Sequence, residues 1–221
     1  MSYAYLVPQW FFGASIFLEI LFSLAALFVA IYAYRVSRIY NQKSIILMTL
    51  GFSFIAVSYL SKALINIFLL KQIQSGVLAL SIGELNRVAA FGLQLYIGLY
   101  LIGALLLLYM TFKSDSTDLF LVLLALSSLG IWFSPDNLFA FNVIVSLLFC
   151  AISLYYGKEY LKNKNKRTML IFLGFLGLLL SGIGFTFATG YYMNYVIAHV
   201  LELASYGLIL ASIFSLIVNK K

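Results

Sequence analysis

One cysteine, two prolines, one histidine and seven acidic residues are all that this chain of 221 residues contains of those types. A single thiol, Cys150, excludes an intrachain disulfide and dithiol redox chemistry, and its position inside an apolar run leaves the compartment unread. A single imidazole, His199, cannot supply the paired axial ligands of a membrane haem, and Cys150 lies far from it in depth, so neither a metal site nor a cofactor is expected. Serine, histidine and acid residues occur, but no G-x-S-x-G or membrane-protease signature joins them, and there is no glycine-rich phosphate loop. No catalytic residues are expected, and the chain is not expected to be an enzyme. Charged residues make only 10% of the chain, too few to solvate a globular surface.

Apolar side chains are abundant. They make up 64% of the sequence, with a mean hydropathy of +1.05. They fall into seven runs, about Phe11 to Tyr34, Ile45 to Leu70, Leu85 to Met110, Leu119 to Phe133, Leu138 to Tyr156, Met169 to Thr189 and Tyr195 to Val218. A bilayer crossing takes about 20 apolar residues, so the expectation is an all-α fold: a polytopic bundle of seven transmembrane helices forming a single integral membrane domain that uses nearly the whole chain. The first run is too long for a signal-peptide core and no basic residue precedes it, which marks it as a retained span. The fourth is the shortest, yet its ends are clear. Ser116, Thr117 and Asp118 offer N-cap chemistry before Leu119, and Ser134-Pro135-Asp136 breaks the chain at its far end.

The net charge of +7 would suit nucleic acid if it were gathered on one polar face. It is instead distributed by topology. Eleven of the 14 basic residues (Arg35, Arg38, Lys43, Lys113, Lys158, Lys162, Lys164, Lys166, Arg167, Lys220 and Lys221) fall beside alternate span ends, the positive-inside signature. The partner is a lipid bilayer, with no nucleic acid, and the expected location is the cell membrane, multi-pass. Seven crossings put the basic connections on one side, with the N-terminus outside and the C-terminus inside. The Lys162 to Arg167 run reads as a solvated cytoplasmic loop, with an anionic-lipid site as the alternative. Between the second and third spans, the modestly apolar Val77 to Ile82 reads as an interfacial turn or an outward extension of the third helix.

Ala30 to Phe52 (AIYAYRVSRIYNQKSIILMTLGF) parallels Ala151 to Phe175 (AISLYYGKEYLKNKNKRTMLIFLGF), and the third span around Gly98 parallels the seventh around Gly207. The pattern suggests three helices, a linking helix and three more in the same orientation, although apolar sequence aligns with itself easily. Because three is odd, a linking span is needed to make the two triplets parallel.

Helix contact in lipid relies on small residues. Gly174, Gly177, Ser181, Gly184 and Ala188 recur at spacings of three and four in the sixth span and so share one helix face. They read as a packing seam within the bundle, with a dimer interface as the alternative. The aromatic residues, 17% of the chain, read mainly as lipid-facing bulk and interfacial belt, as at Trp10-Phe11-Phe12 and Tyr191-Tyr192.

An ionisable side chain inside a span is costly and is a candidate functional group. Glu19, Lys62, His199 and Glu202 qualify, each within the outer half of its span at depths of roughly 8 to 13 Å. Each continues a polar stripe: Ser15, Glu19 and Ser23; Ser58, Lys62 and Asn66; His199, Glu202 and Ser205. Arg87, Gln94 and Gly98 extend the pattern along the third span, with Glu84 one turn from Arg87 at its outer mouth. The expectation is one outward-facing pocket formed by Glu19, Lys62, Arg87, Gln94, His199 and Glu202. Three uses of such a cluster are open: ion pairs that fix helix register, a pocket for an unknown small ligand, or a proton or ion pathway. Retinal is excluded, because the last span has no lysine.

The stretches IYAYRVSRIYNQKSIILMTLGFSFIAVSYLSKAL and HVLELASYGLILASIFSLI resemble the seven-helix membrane regions of prokaryotic sensor proteins, including some histidine kinases. That resemblance implies a sensory module which, having no kinase or cyclase segment in this sequence, acts through a separate cytoplasmic signalling or membrane protein partner. The three-one-three order is similar to that of SWEET and PQ-loop transporters, although Pro8-Gln9 lies at the wrong end of the first span and Pro135-Asp136 replaces the motif in the second repeat. A receptor-like sensory module with an outward-facing pocket is therefore the first expectation. A small proton-coupled transporter using Glu19, Glu202 and His199, or a structural subunit of a membrane complex, are the others.

Overall fold

Long apolar runs free of proline, with leucine, alanine and phenylalanine at about half of the positions, leave the backbone no hydrogen-bond partners in lipid except its own, and so dictate helix. The computed structural model describes residues 12–40, 43–74, 82–112, 116–188 and 192–218, and every regular element in them is α-helical. There are seven: α1 (Phe12–Tyr40), α2 (Lys43–Gln74), α3 (Ile82–Phe112), α4 (Thr117–Trp132), α5 (Asn137–Asn163), α6 (Lys166–Thr186) and α7 (Tyr192–Val218). Six are long and apolar enough to cross a membrane, the exception being α4. The protein is an integral, multi-pass membrane protein. Trp10-Phe11, Tyr191, Lys113, Lys220, Lys221 and most of Val77 to Ile82 lie outside the described residues.

Several helices outrun the apolar stretches that announce them. α5 continues through Lys158, Glu159 and Lys162, residues with good helix propensity whose charges need only reach the interface. It ends at Lys164, whose left-handed backbone (φ 46, ψ 30) lets its N–H bond the Tyr160 carbonyl at 2.8 Å. Asn165 then caps α6 by accepting from the Arg167 N–H at 3.0 Å. The basic connection expected over Lys162 to Arg167 is thus two residues long, with Lys162, Lys166 and Arg167 on helical turns.

The helices form a ring. α1 packs on α2, α2 on α3, α3 on α5, α5 on α6, α6 on α7, and α7 closes the ring on α1. Among the described residues α4 packs against α3 and α5 only, and so lies outside the ring. At 16 residues it is about 24 Å long, short of a hydrocarbon core of about 30 Å. Ile131 is its one buried residue, while Leu121, Leu126 and Trp132 are exposed. Tyr109 of α3 stacks edge-on to Phe120, and Gln94 shares a cleft with Ser128 and Trp132, so α4 runs antiparallel to α3. Ser116 caps its start, and Asp136 caps α5 by accepting from the Leu138 and Phe139 N–H groups at 3.0 Å each.

Small residues set the closest contacts. Gly51 and Gly103 face each other across α2 and α3, and a Cβ on Gly103 would stand 2.7 Å from the Gly51 carbonyl. On α6, Gly174 packs on Ile209 and Ser205, Gly177 on Ser205, and Gly184 on Ala198, all from α7. Ser181 is buried on the same helix, whereas Ala188 lies beyond the helix end at Thr186 and lines a cavity instead. Gly182 turns the other way, toward Ser146 of α5.

The aromatic residues depart from the lipid-facing role expected of them. Tyr59, Tyr206, Phe22, Phe52, Phe149 and Phe175 are the largest fully buried side chains. They fill the ring because six helices around one axis leave a central space that aliphatic residues alone do not span. Lipid-facing aromatics are present too, such as Phe17 and Phe91, but they are only part of the set.

Candidate functional site

Glu19 sits on the inner face of α1 and is completely buried. Lys62, on α2, places Nζ 3.1 Å from Glu19 Oε1. One turn further along α2, Asn66 Nδ2 lies 2.9 and 3.1 Å from the two Glu19 oxygens. The four-residue spacing of Ser58, Lys62 and Asn66 makes this possible, because it keeps Lys62 and Asn66 on one side of the helix. Lys62 is the more exposed partner, with a quarter of its side chain accessible, and its ammonium lies 4.7 Å from the centre of the Tyr96 ring. The pair is charge-neutral, and the carboxylate is held by three polar contacts, as a buried anion requires.

The second acid, Glu202 on α7, is buried and accepts a hydrogen bond from the Tyr59 hydroxyl of α2. His199 lies one turn before it, Nδ1 3.8 Å from Glu202 Oε2. The imidazole is clasped by rings: Phe22 stacks on it at 5.5 Å, while Phe185 and Tyr195 meet it edge to face at 4.9 and 4.5 Å. The Tyr195 hydroxyl is 3.0 Å from Ser15 Oγ, tying the starts of α7 and α1 together. Helices α2 and α7 share no backbone contact among the described residues, yet Tyr59 and Glu202 bridge them. The ring interior at this level is therefore polar and narrow.

Above the bridge, on the side away from Lys43 and Lys166, is a cavity of about 650 Å³, counting open space at its mouth. Tyr59, Lys62, Tyr96, His199 and Glu202 line it from α2, α3 and α7. Asp136, Asn142, Phe185 and Tyr195 complete much of the wall from α5, α6 and α7. Toward the basic end, the ring is filled by a continuous buried core that includes Phe52, Tyr206, Leu101, Leu105 and Phe149. Among the described residues, the cavity is bounded toward the basic end by the Tyr59–Glu202 bridge and, beyond it, by this core.

Glu19, Lys62, His199 and Glu202 thus come together in one cluster. Arg87 and Gln94 do not join it. Both are exposed on α3, and Gln94 lines a separate cleft with Gly98, Ser128, Trp132 and Asn137 between α3, α4 and α5. The reason is rotational: Tyr96 faces the cavity, and two residues back along a helix turns the side chain by about 200°. The grouping of Arg87 and Gln94 with the other four as one pocket is corrected accordingly.

Sequence reasoning did not single out Tyr59, Tyr96, Tyr195 or Asp136. A signal was available for two of them. Tyr59 precedes Lys62 by three residues, and Tyr195 precedes His199 by four, so both extend the polar stripes by one turn. No protein-family model, curated protein or solved structure matches the chain, so its reading rests on fold and site. They define a multi-pass membrane protein with a buried polar cluster bordering a cavity among the described residues.

Proposed function

We propose that the protein is a receptor-like sensory membrane module whose outward cavity binds a small ligand and passes helix movement to a separate cytoplasmic partner. The observation that carries this reading is the cavity's closed floor. A pocket walled by charged, hydroxyl and aromatic groups and sealed toward the basic end suits binding better than passage. The basic residues Arg35, Arg38, Lys158 and Lys162 support placing that sealed end in the cytoplasm, with the N-terminus outside and α4 linking two parallel triplets. The Tyr59 to Glu202 bond supplies the moving part. Among the described residues it joins helices that share no backbone packing and that also meet where Tyr206 packs on Phe52 and Tyr59, so a ligand that displaces the tyrosine alters the spacing of α2 and α7.

One feature favours a second reading, a small proton-coupled transporter. The packing order has a two-fold pattern, α1 to α2 to α3 mirrored by α5 to α6 to α7, with α3 on α5 mirrored by α7 on α1. Repeats so arranged are the basis of alternating access. Proteoliposomes carrying a pH-sensitive dye decide between the readings. The sensor reading expects no proton flux under an imposed gradient. A flux that disappears in Glu202→Gln overturns it in favour of transport.

A further inference from the structure

We infer that the cavity selects a small organic cation, an amine. This rests on the reading of the cavity as a ligand pocket and adds the charge of what enters it. Three carboxylates stand in or directly behind the wall (Glu19, Asp136 and Glu202) against one ammonium, that of Lys62. The ammonium is already engaged, 3.1 Å from Glu19 and 4.7 Å from the Tyr96 ring centre. An anionic ligand would therefore find its natural partner neutralised and would face Glu202 and Asp136 across a low-dielectric space. A cationic ligand meets the opposite situation. Glu202 is held in place at the base of the cavity by Tyr59, and Tyr59, Tyr96, Phe185 and Tyr195 bring to the same wall the aromatic rings that attract an ammonium. Asp136 contributes less, since its Oδ1 accepts from two backbone N–H groups at the start of α5.

The test uses the full-length protein in nanodiscs, with Cys150→Ser removing the native thiol and a reporter thiol placed in the wall as Thr186→Cys or, separately, Asn142→Cys. Each is reacted with two methanethiosulfonates of similar size, one bearing a trimethylammonium and the other a sulfonate, and each rate is divided by that reagent's rate with free cysteine. The expected result is a preference of about 10-fold for the cationic reagent, from the attraction at several ångströms of Glu202, the carboxylate matched neither by Lys62 nor by the N–H groups that start α5. It should fall to near unity in Glu202→Gln, and benzylamine should slow the labelling whereas benzoate should not. Equal normalised rates, a preference for the sulfonate, or equal protection by benzoate would overturn the inference while leaving a ligand pocket standing. Failure of both reagents at both positions in folded, monodisperse protein would instead overturn the pocket reading itself, and the inference with it.

Discussion

Replacing Lys62 by methionine keeps the length and most of the apolar stem of the side chain but leaves Glu19 fully buried with Asn66 as its remaining partner across the helix pair. At the observed 3.1 Å, an effective dielectric of about 20 gives roughly 5 kcal/mol for the lost attraction. Asn66 keeps two contacts to the carboxylate, and the unfolded chain in lipid or detergent finds partial substitutes, so a loss of about 3 kcal/mol is expected. The converse change, Glu19→Gln, leaves Lys62 unpaired, but a quarter of its side chain is accessible and it opens onto the cavity, so water replaces the carboxylate. About 1 kcal/mol is expected there. The double variant removes both charges and should fall within about 1 kcal/mol of wild type. The measurement is a double-mutant cycle by reversible denaturation in mixed micelles. A Glu19→Gln loss as large as that of Lys62→Met, or a coupling below about 0.5 kcal/mol, refutes the view that Glu19 is a buried anion dependent on Lys62.

Gly103→Ala should cost about 1 to 3 kcal/mol, because the new Cβ stands 2.7 Å from the Gly51 carbonyl and from Ile55 Cγ1. Gly98→Ala and Gly207→Ala, where nothing lies within 4 Å of the added carbon, should be neutral or gain up to about 1 kcal/mol of helix propensity; thermal unfolding of the three variants checks the contrast. Asn165→Ala removes the cap on α6 and should cost about 1 kcal/mol by the same assay, and Asn165→Asp should retain most of it. A cysteine at Lys164 should resist an impermeant maleimide applied from outside intact cells, whereas one at Lys71 should react, and the reverse pattern refutes the proposed orientation.

The elements that could be recognised in the sequence were those with a strong physical cost attached. Glu19, Lys62, His199 and Glu202 are conspicuous because lipid penalises them, and the same penalty brings them together. Gly174, Gly177 and Gly184 are conspicuous because their period matches a helix, and they meet α7. What stayed hidden lacked such a cost. A tyrosine is acceptable toward lipid, toward an interface or inside a ring, so nothing in the spelling of Tyr59 or Tyr96 distinguishes these places. Gln94 is tolerated at a half-open cleft, so its spacing from Arg87 carried no information on which side of α3 faces inward. The outlying position of α4 follows from tertiary closure. Once α3 meets α5 directly, a short helix between them in sequence has no room between them in space.

The Tyr59 to Glu202 bond spans 143 positions of the chain, whereas Glu19 meets Asn66 across 47. During synthesis, the Glu19 charge is therefore answered as soon as α1 and α2 pair. Glu202 arrives later, on a helix that packs beside α1, and it depends on a hydroxyl laid down five helices earlier. Until that moment, the half-built ring is held open along a polar edge. The order of insertion thus leaves the Tyr59 hydroxyl and its carboxylate apart until α7 is in place, an interval in which a membrane chaperone or protease can inspect the chain.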